Sequence, residues 1–227
     1  MISVAKDWNS KQSRLREIIL KPDAFPETIA LILEMHSLVH TSQMSGTDVI
    51  TYEDQLWEGL EPGTFRSQIK NSGSTIAWNL WHLTRIEDIT ANILMAEESQ
   101  VINGDNWLQK MKASVCDTGN AMSDREIADF SSKIDMAELR NYRIEVGSKT
   151  RDIINSLRPE KMKMKVKAEG IERILLEGGV TEAEGSRWLL DFWSKKNIAG
   201  IILMPITRHQ VVHLNDSLRL KSKLSDR

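Results

Sequence analysis

Residues 206–216 read ITRHQVVHLND. Two of the chain's five histidines, His209 and His213, stand four positions apart here, inside a strongly apolar segment. Residues at that spacing on a helix differ by about 40° around the axis and lie one above the other on a single face. The same face carries Ile202, Ile206, Asp216 and Leu220, while Arg208, Asn215 and Arg219 gather on a narrow polar stripe well round the helix. The two imidazoles therefore point inward or into a cleft. Such a pair can grip a transition metal through two nitrogens, or it can be a pair of hydrogen-bonded core or interface histidines. A second apolar face, with Leu203, Val211, Leu214 and Leu218, marks a helix that is central or lies in an interface, so a homodimer is expected.

Outward from this helix the 3.6-residue spacing of apolar residues recurs, and alternating β-branched runs between turn pairs are nearly absent. The pattern predicts long helices over about residues 26–41, 74–98, 135–157 and 199–223, and another over about 9–20. Shorter helices are expected in TYEDQLWEGL (51–60), around 105–114, and in MSDREIADFSSKI, IERILLEGG and TEAEGSRWLLDFWSKKN, which together span 122–197 with a lysine-rich loop before the last two. Serines stand ahead of the apolar run at 74 as candidate caps. Ser123 with Glu126 three positions later is a capping-box pattern. Glu61-Pro62-Gly63 and Gly178-Gly179 are stops. Four long helices and several short ones make an all-α fold, most simply a four-helix bundle with additional short helices in the connections. No repeat or linker divides residues 1–227, which read as a single domain.

The composition narrows the function classes. With 41% hydrophobic and 27% charged residues, the 227-residue chain is neither disordered nor fibrous. A formal net charge of -2 gives no reason to expect a nucleic-acid partner. The basic stretch RPEKMKMKVK (158–167) is short and isolated and reads as a solvated loop. One cysteine, Cys116, permits no intramolecular disulfide and suggests a reducing compartment. No apolar run is long enough to cross a bilayer and the first residues lack the core of a secretory signal, so a cytoplasmic protein with no membrane partner is expected.

A third ligand would turn the pair into a site. His82, in STIAWNLWHLTRIED (74–88), shares a helix face with Trp78, Ile86, Ile89 and Ile93. It reads either as a satisfied core histidine or as a ligand, if its helix lies beside the last one. Three nitrogens with an open fourth position describe a reactive rather than a structural metal site. A competing pair, His36 and His40 in EMHSLVH (34–40), sits on the flank of its helix's apolar stripe, with His40 placed to cap the helix end.

STIAWNLWHLTRIED, followed more than a hundred residues later by HQVVH, resembles the DinB-like superfamily, which includes the damage-inducible bacterial proteins and the bacillithiol- and mycothiol-dependent transferases. The likeness covers the core helices, about residues 25–100 and 135–222, and leaves about 101–134 as an insert able to cover or open the site. It implies a four-helix bundle with a long crossover, and one divalent transition metal held by His82, His209 and His213. Imidazole suits zinc, nickel, copper and iron, with zinc and nickel first among the expected ions. A low-molecular-weight thiol is implied as a further cofactor, and a small electrophile as substrate.

The remaining polar residues are read in that light. Asp216 is a partner for a ligand histidine, a fourth ligand or a solvated aspartate. Trp78 and Trp81 read as core, Trp78 also as a wall of the cofactor pocket. Glu87 is expected to pair with an arginine, and Cys116 to be an incidental thiol. The first functional expectation is a metal-dependent thiol S-transferase or hydrolase. The alternative is a non-catalytic, metal-binding, stress-associated homodimer, and the third reading is a helical protein whose histidines are packing residues without metal.

Overall fold

The computed structural model describes residues 4–69 and 73–225. The helical elements run in the order α1 (Val4–Ile18), α2 (Phe25–Leu38), α3 (Ser42–Ser45), α4 (Tyr52–Trp57), α5 (Pro62–Arg66), α6 (Ile76–Asp88), α7 (Trp107–Met111), α8 (Asp124–Lys133), α9 (Met136–Ser156), α10 (Ala168–Leu176), α11 (Glu184–Ser194), α12 (Ile198–Ile201) and α13 (His209–Ser225). No β-strand forms among the described residues, and Lys165 and Asn197 make a single antiparallel bridge. The all-helical expectation therefore holds.

Local chemistry places the helix ends. Thr75, rather than a serine, caps α6, its hydroxyl accepting the Trp78 N–H at 2.9 Å. Ser72, the other serine ahead of this helix besides Ser74, lies outside the described residues. Ser123 and Glu126 form the expected capping box at α8, and Asp135 caps α9 through the N–H groups of Ala137 and Glu138.

The element that matters most is α6. Every residue from Ile76 to Asp88 except Trp78 is buried. It packs against α5, α8, α9 and α13, while α9 also meets α2 and α7, and α13 meets α4. One hydrophobic core, drawing on residues from Trp8 to Leu220, fills the space between them. Residues 101–134 belong to that core as well, since Trp107, Met111, Ile127 and Phe130 are buried. Val211 and Leu214 are buried too, and Leu203 and Leu218 pack on the core. On the second apolar face of the last helix, from which a dimer was expected, Val211 and Leu214 are thus covered by the chain's own elements, while Leu203 and Leu218 are only partly buried. Among the described residues no helix is long and apolar enough to cross a membrane.

Two of the expected long helices are not regular. After Asp88 the α6 helix widens into π-helical turns over Ile89–Ala96, and between α12 and α13 the same happens over Ile202–Arg208. The second case has a plain cause. Pro205 lacks an N–H and its ring crowds the preceding turn, so the i→i−4 ladder cannot continue. The wider turn relieves the clash and side chains take up carbonyls there. The Thr207 hydroxyl donates to Ile202 O at 2.8 Å, and the Gln210 amide donates to Pro205 O at 3.1 Å and to Leu83 O at 3.0 Å. The widened turns end at His209.

Candidate metal centre

Packing of α6 against α13 brings His82 to His209 and His213. Their ring centroids lie 5.0 and 4.8 Å from that of His82, and 4.5 Å from each other. His82 Nε2 stands 3.2 Å from His209 Nε2. Two nitrogens bound tetrahedrally at about 2.0–2.1 Å from one zinc ion are roughly 3.3 Å apart, so this spacing suits a shared ion. The ligand atoms of all three residues lie within 4.8 Å of one another.

What holds the rings decides which nitrogen faces the centre. His82 Nδ1–H donates to the carbonyl of Thr118 at 2.8 Å, and His213 Nδ1–H donates to Asn79 Oδ1 at 3.2 Å. In both rings the Nε2 lone pair is left for the site, the arrangement by which an outer acceptor fixes a ligand's tautomer. Trp78 stacks on His82 at 4.8 Å with the planes 5° apart, meets His213 edge-on at 6.1 Å, and donates its indole N–H to Gly119 O at 3.1 Å. The segment around 116–119 supplies these acceptors. Its Asp117 carbonyl also takes the Trp81 indole N–H, and its Cys116 carbonyl takes Arg85 Nε. The expected insert therefore orients the site with its backbone.

Burial keeps the imidazoles neutral. It lowers His82 to about 3, helped by His213 and opposed by the Thr118 bond, and it lowers His213 to about 4. His209 is pushed well below its ordinary value, first by burial and then by its two neighbours. Neutral imidazole is the form that binds a metal. His82 is buried, while His209 and His213 are partly exposed, so the group is open on one side.

A second group has the donors to hold an ion: His36 and His40 on α2 and just beyond it, with Glu87 on α6. All three are sealed, at 1% exposure or less. His36 Nε2 donates to Glu87 Oε1 at 2.8 Å, and His40 Nε2 donates to Glu87 Oε2 at 3.0 Å. The Arg143 guanidinium from α9 stands 3.9 Å from the same carboxylate, bonds Glu53 at 2.8 Å and Gln210 Oε1 at 3.1 Å, and donates to Val39 O at 2.6 Å. Burial alone would raise the Glu87 carboxyl, yet the imidazoles of His40 and His36 hold it well below the usual carboxylate range. The arginine expected beside Glu87 is present, but two histidines are its nearer partners. His40 does not cap its helix. Its Nδ1 and that of His36 have no hydrogen-bond partner among the described residues.

The other sequence candidates fall as follows. Trp78 lies against two of the three ring groups. Asp216 is not brought to them: its side chain is 48% exposed and stands 3.5 Å from Arg219. Cys116 Sγ donates to Gly178 O at 3.4 Å, a packing contact. Sequence reasoning missed Asn79, Thr118 and Arg143. Asn79 carried a signal, a polar residue three positions before His82 on an apolar helix, whereas Thr118 acts through its backbone and carried none.

No family model matches this sequence, and no curated protein matches it.

Proposed function

We propose that this chain is a metal-dependent protein of the DinB-like kind, in which His82, His209 and His213 hold one divalent ion, zinc or nickel, for reaction of a thiol or water with a small electrophile. The observation that carries the reading is the orientation of the rings. Two Nδ1–H groups are held outward by Thr118 O and Asn79, and the Nε2 atoms meet on a side that stays partly open. The packing of α2 with α9, α9 with α6, and α6 with α13 supports a four-helix bundle of that type.

A divalent ion among three neutral imidazoles keeps most of its charge and acidifies a bound water or thiol. The chain's own part is to position and shield. Thr118 O and Asn79 fix two tautomers, and Trp78 clamps the His82 ring from one face. Gln210, next to His209, is locked by Pro205 O, Leu83 O and Arg143, so the start of α13 cannot rotate freely.

The test is elemental analysis of untagged protein prepared without chelator, beside His82→Ala, His209→Ala and His36→Gln. About one equivalent in the parent and in His36→Gln, and close to none in the other two, is the expected result for a single three-histidine site. Metal-free parent protein that takes up neither zinc nor nickel would overturn the reading. Loaded protein is then assayed with thiol and electrophile pairs.

A further inference from the structure

Beside the three histidines lies a cavity of about 120 Å³, with His82 and His209 at its inner end. One wall comes from α11, through Trp188, Leu189, Phe192 and Trp193, and the facing wall from Met204 and Pro205 in the widened turns before α13. Ile86 continues the apolar surface from α6, and Asn120 lies at the other edge. Apart from the two histidines, which burial keeps neutral, no lining residue is acidic or basic. The mouth has a defined build. Trp188 is 51% exposed and its indole N–H donates to Gly185 O at 3.1 Å, and the Asn120 side-chain amide donates to the same carbonyl. The 116–122 segment and α11 are thereby clasped across the opening.

We infer that this cavity is an apolar subsite that takes a compact uncharged hydrocarbon group, up to about the size of a phenyl ring, with the group's reactive end directed at the Nε2 atoms of His82 and His209. Size, polarity and shape each lead there. An apolar cavity of about 150 Å³ holds benzene, and 120 Å³ is slightly smaller. An ionised group held against the apolar walls, away from the inner end, would lose its water and find no countercharge. Trp188 and Phe192 already meet edge to face, with centroids 6.1 Å apart and planes 68° apart. Such surfaces favour an aromatic ring in offset or edge contact. The two walls depend on two sequence features, the aromatic run of α11 and the proline that widens the last helix. Any charged portion of the ligand stays outside, near Trp188 and Asn120. The inference rests on the metal reading only for what lies at the inner end, and the apolar subsite stands without it.

The experiment has two arms. In the first, cobalt-loaded protein is titrated with phenylmethanethiol and with mercaptoacetate, following thiolate coordination by its absorption band. Phenylmethanethiol is expected to bind about tenfold or more tightly, since one probe buries a ring and the other brings a carboxylate. Met204→Trp, which fills the cavity, is expected to remove that preference with metal content unchanged. Phe192→Ala, which enlarges it, is expected to shift the preference to 2-naphthylmethanethiol. Equal or tighter binding of mercaptoacetate overturns the subsite, as does an unchanged preference in both variants. In the second arm, benzyl alcohol is titrated into metal-free parent protein and Met204→Trp. Binding to the parent that is lost in the variant supports the subsite even if no metal is ever taken up. Full metal uptake with no benzyl alcohol binding overturns the subsite and leaves the metal reading intact.

Discussion

The chain contains two histidine clusters on opposite sides of α6, and they are wired in opposite senses. In the outer one, His82 and His213 turn Nδ1–H outward to Thr118 O and Asn79, so that Nε2 faces a shared, partly open space. In the inner one, His36 and His40 aim Nε2 at Glu87, and all three side chains are sealed at 1% exposure or less. Both have three donors within reach of one ion. The difference lies in the proton positions that the neighbours fix and in access to solvent, and not in ligand type or spacing.

The largest expected effect separates the clusters by stability. Arg143→Leu leaves Glu53 and Glu87 buried without their cation, and is expected to lower the unfolding free energy by about 3–5 kcal/mol. His213→Ala, in the partly open cluster, is expected to lower it by about 1 kcal/mol. Urea midpoints of metal-free protein measure both, and equal losses would erase the distinction. Next in size is the response to metal. Free zinc at about a hundred times its dissociation constant is expected to add about 2.7 kcal/mol to the parent. The same gain is expected in His36→Gln and none in His209→Ala. The reverse pattern would exchange the roles of the two clusters.

A smaller effect tests how tightly the inner cluster is held. Gly147 lies in α9, and a Cβ there would stand 2.6 Å from His40 Nδ1. Alanine normally gains about 1 kcal/mol over glycine inside a helix. Here the clash with a sealed ring is expected to reverse the sign, for a net loss of about 1–3 kcal/mol in thermal or urea unfolding. A more stable Gly147→Ala would mean that the cluster can shift.

The finest comparison is the pH profile of metal-free protein. His82 and His213 are lowered to about 3 and about 4, against about 6.5 in the unfolded chain. Between those values the unfolded state binds more protons, so stability rises with pH. The contribution is complete above pH 6.5 and is lost as pH falls toward 4 and then 3. Each ring adds a slope of up to about 1.4 kcal/mol per pH unit. His213→Ala is expected to flatten the curve between pH 4 and 6.5 by up to one ring's share. An unchanged slope in urea titrations across that range would show that His213 does not resist protonation.

The sequence by itself determined the helical class, because 3.6-residue periodicity and capping residues such as Ser123 act over a few positions of chain. It also picked out the three histidines: His209 and His213 are fixed to one face by spacing alone, and His82 stands on an apolar stripe that had to pack somewhere. It placed His40 as a helix cap and Asp216 beside the ligands, because a helical wheel gives direction but not distance. Only the tertiary structure decided that the inner pair belongs to Glu87 and Arg143, that Thr118 contributes a backbone carbonyl, and that α11 meets the widened turn at Pro205 to enclose a cavity. Each of those contacts joins residues tens of positions apart, and a backbone carbonyl has no letter in the sequence. Their existence depends on how whole helices cross, which is set by the packing of the core.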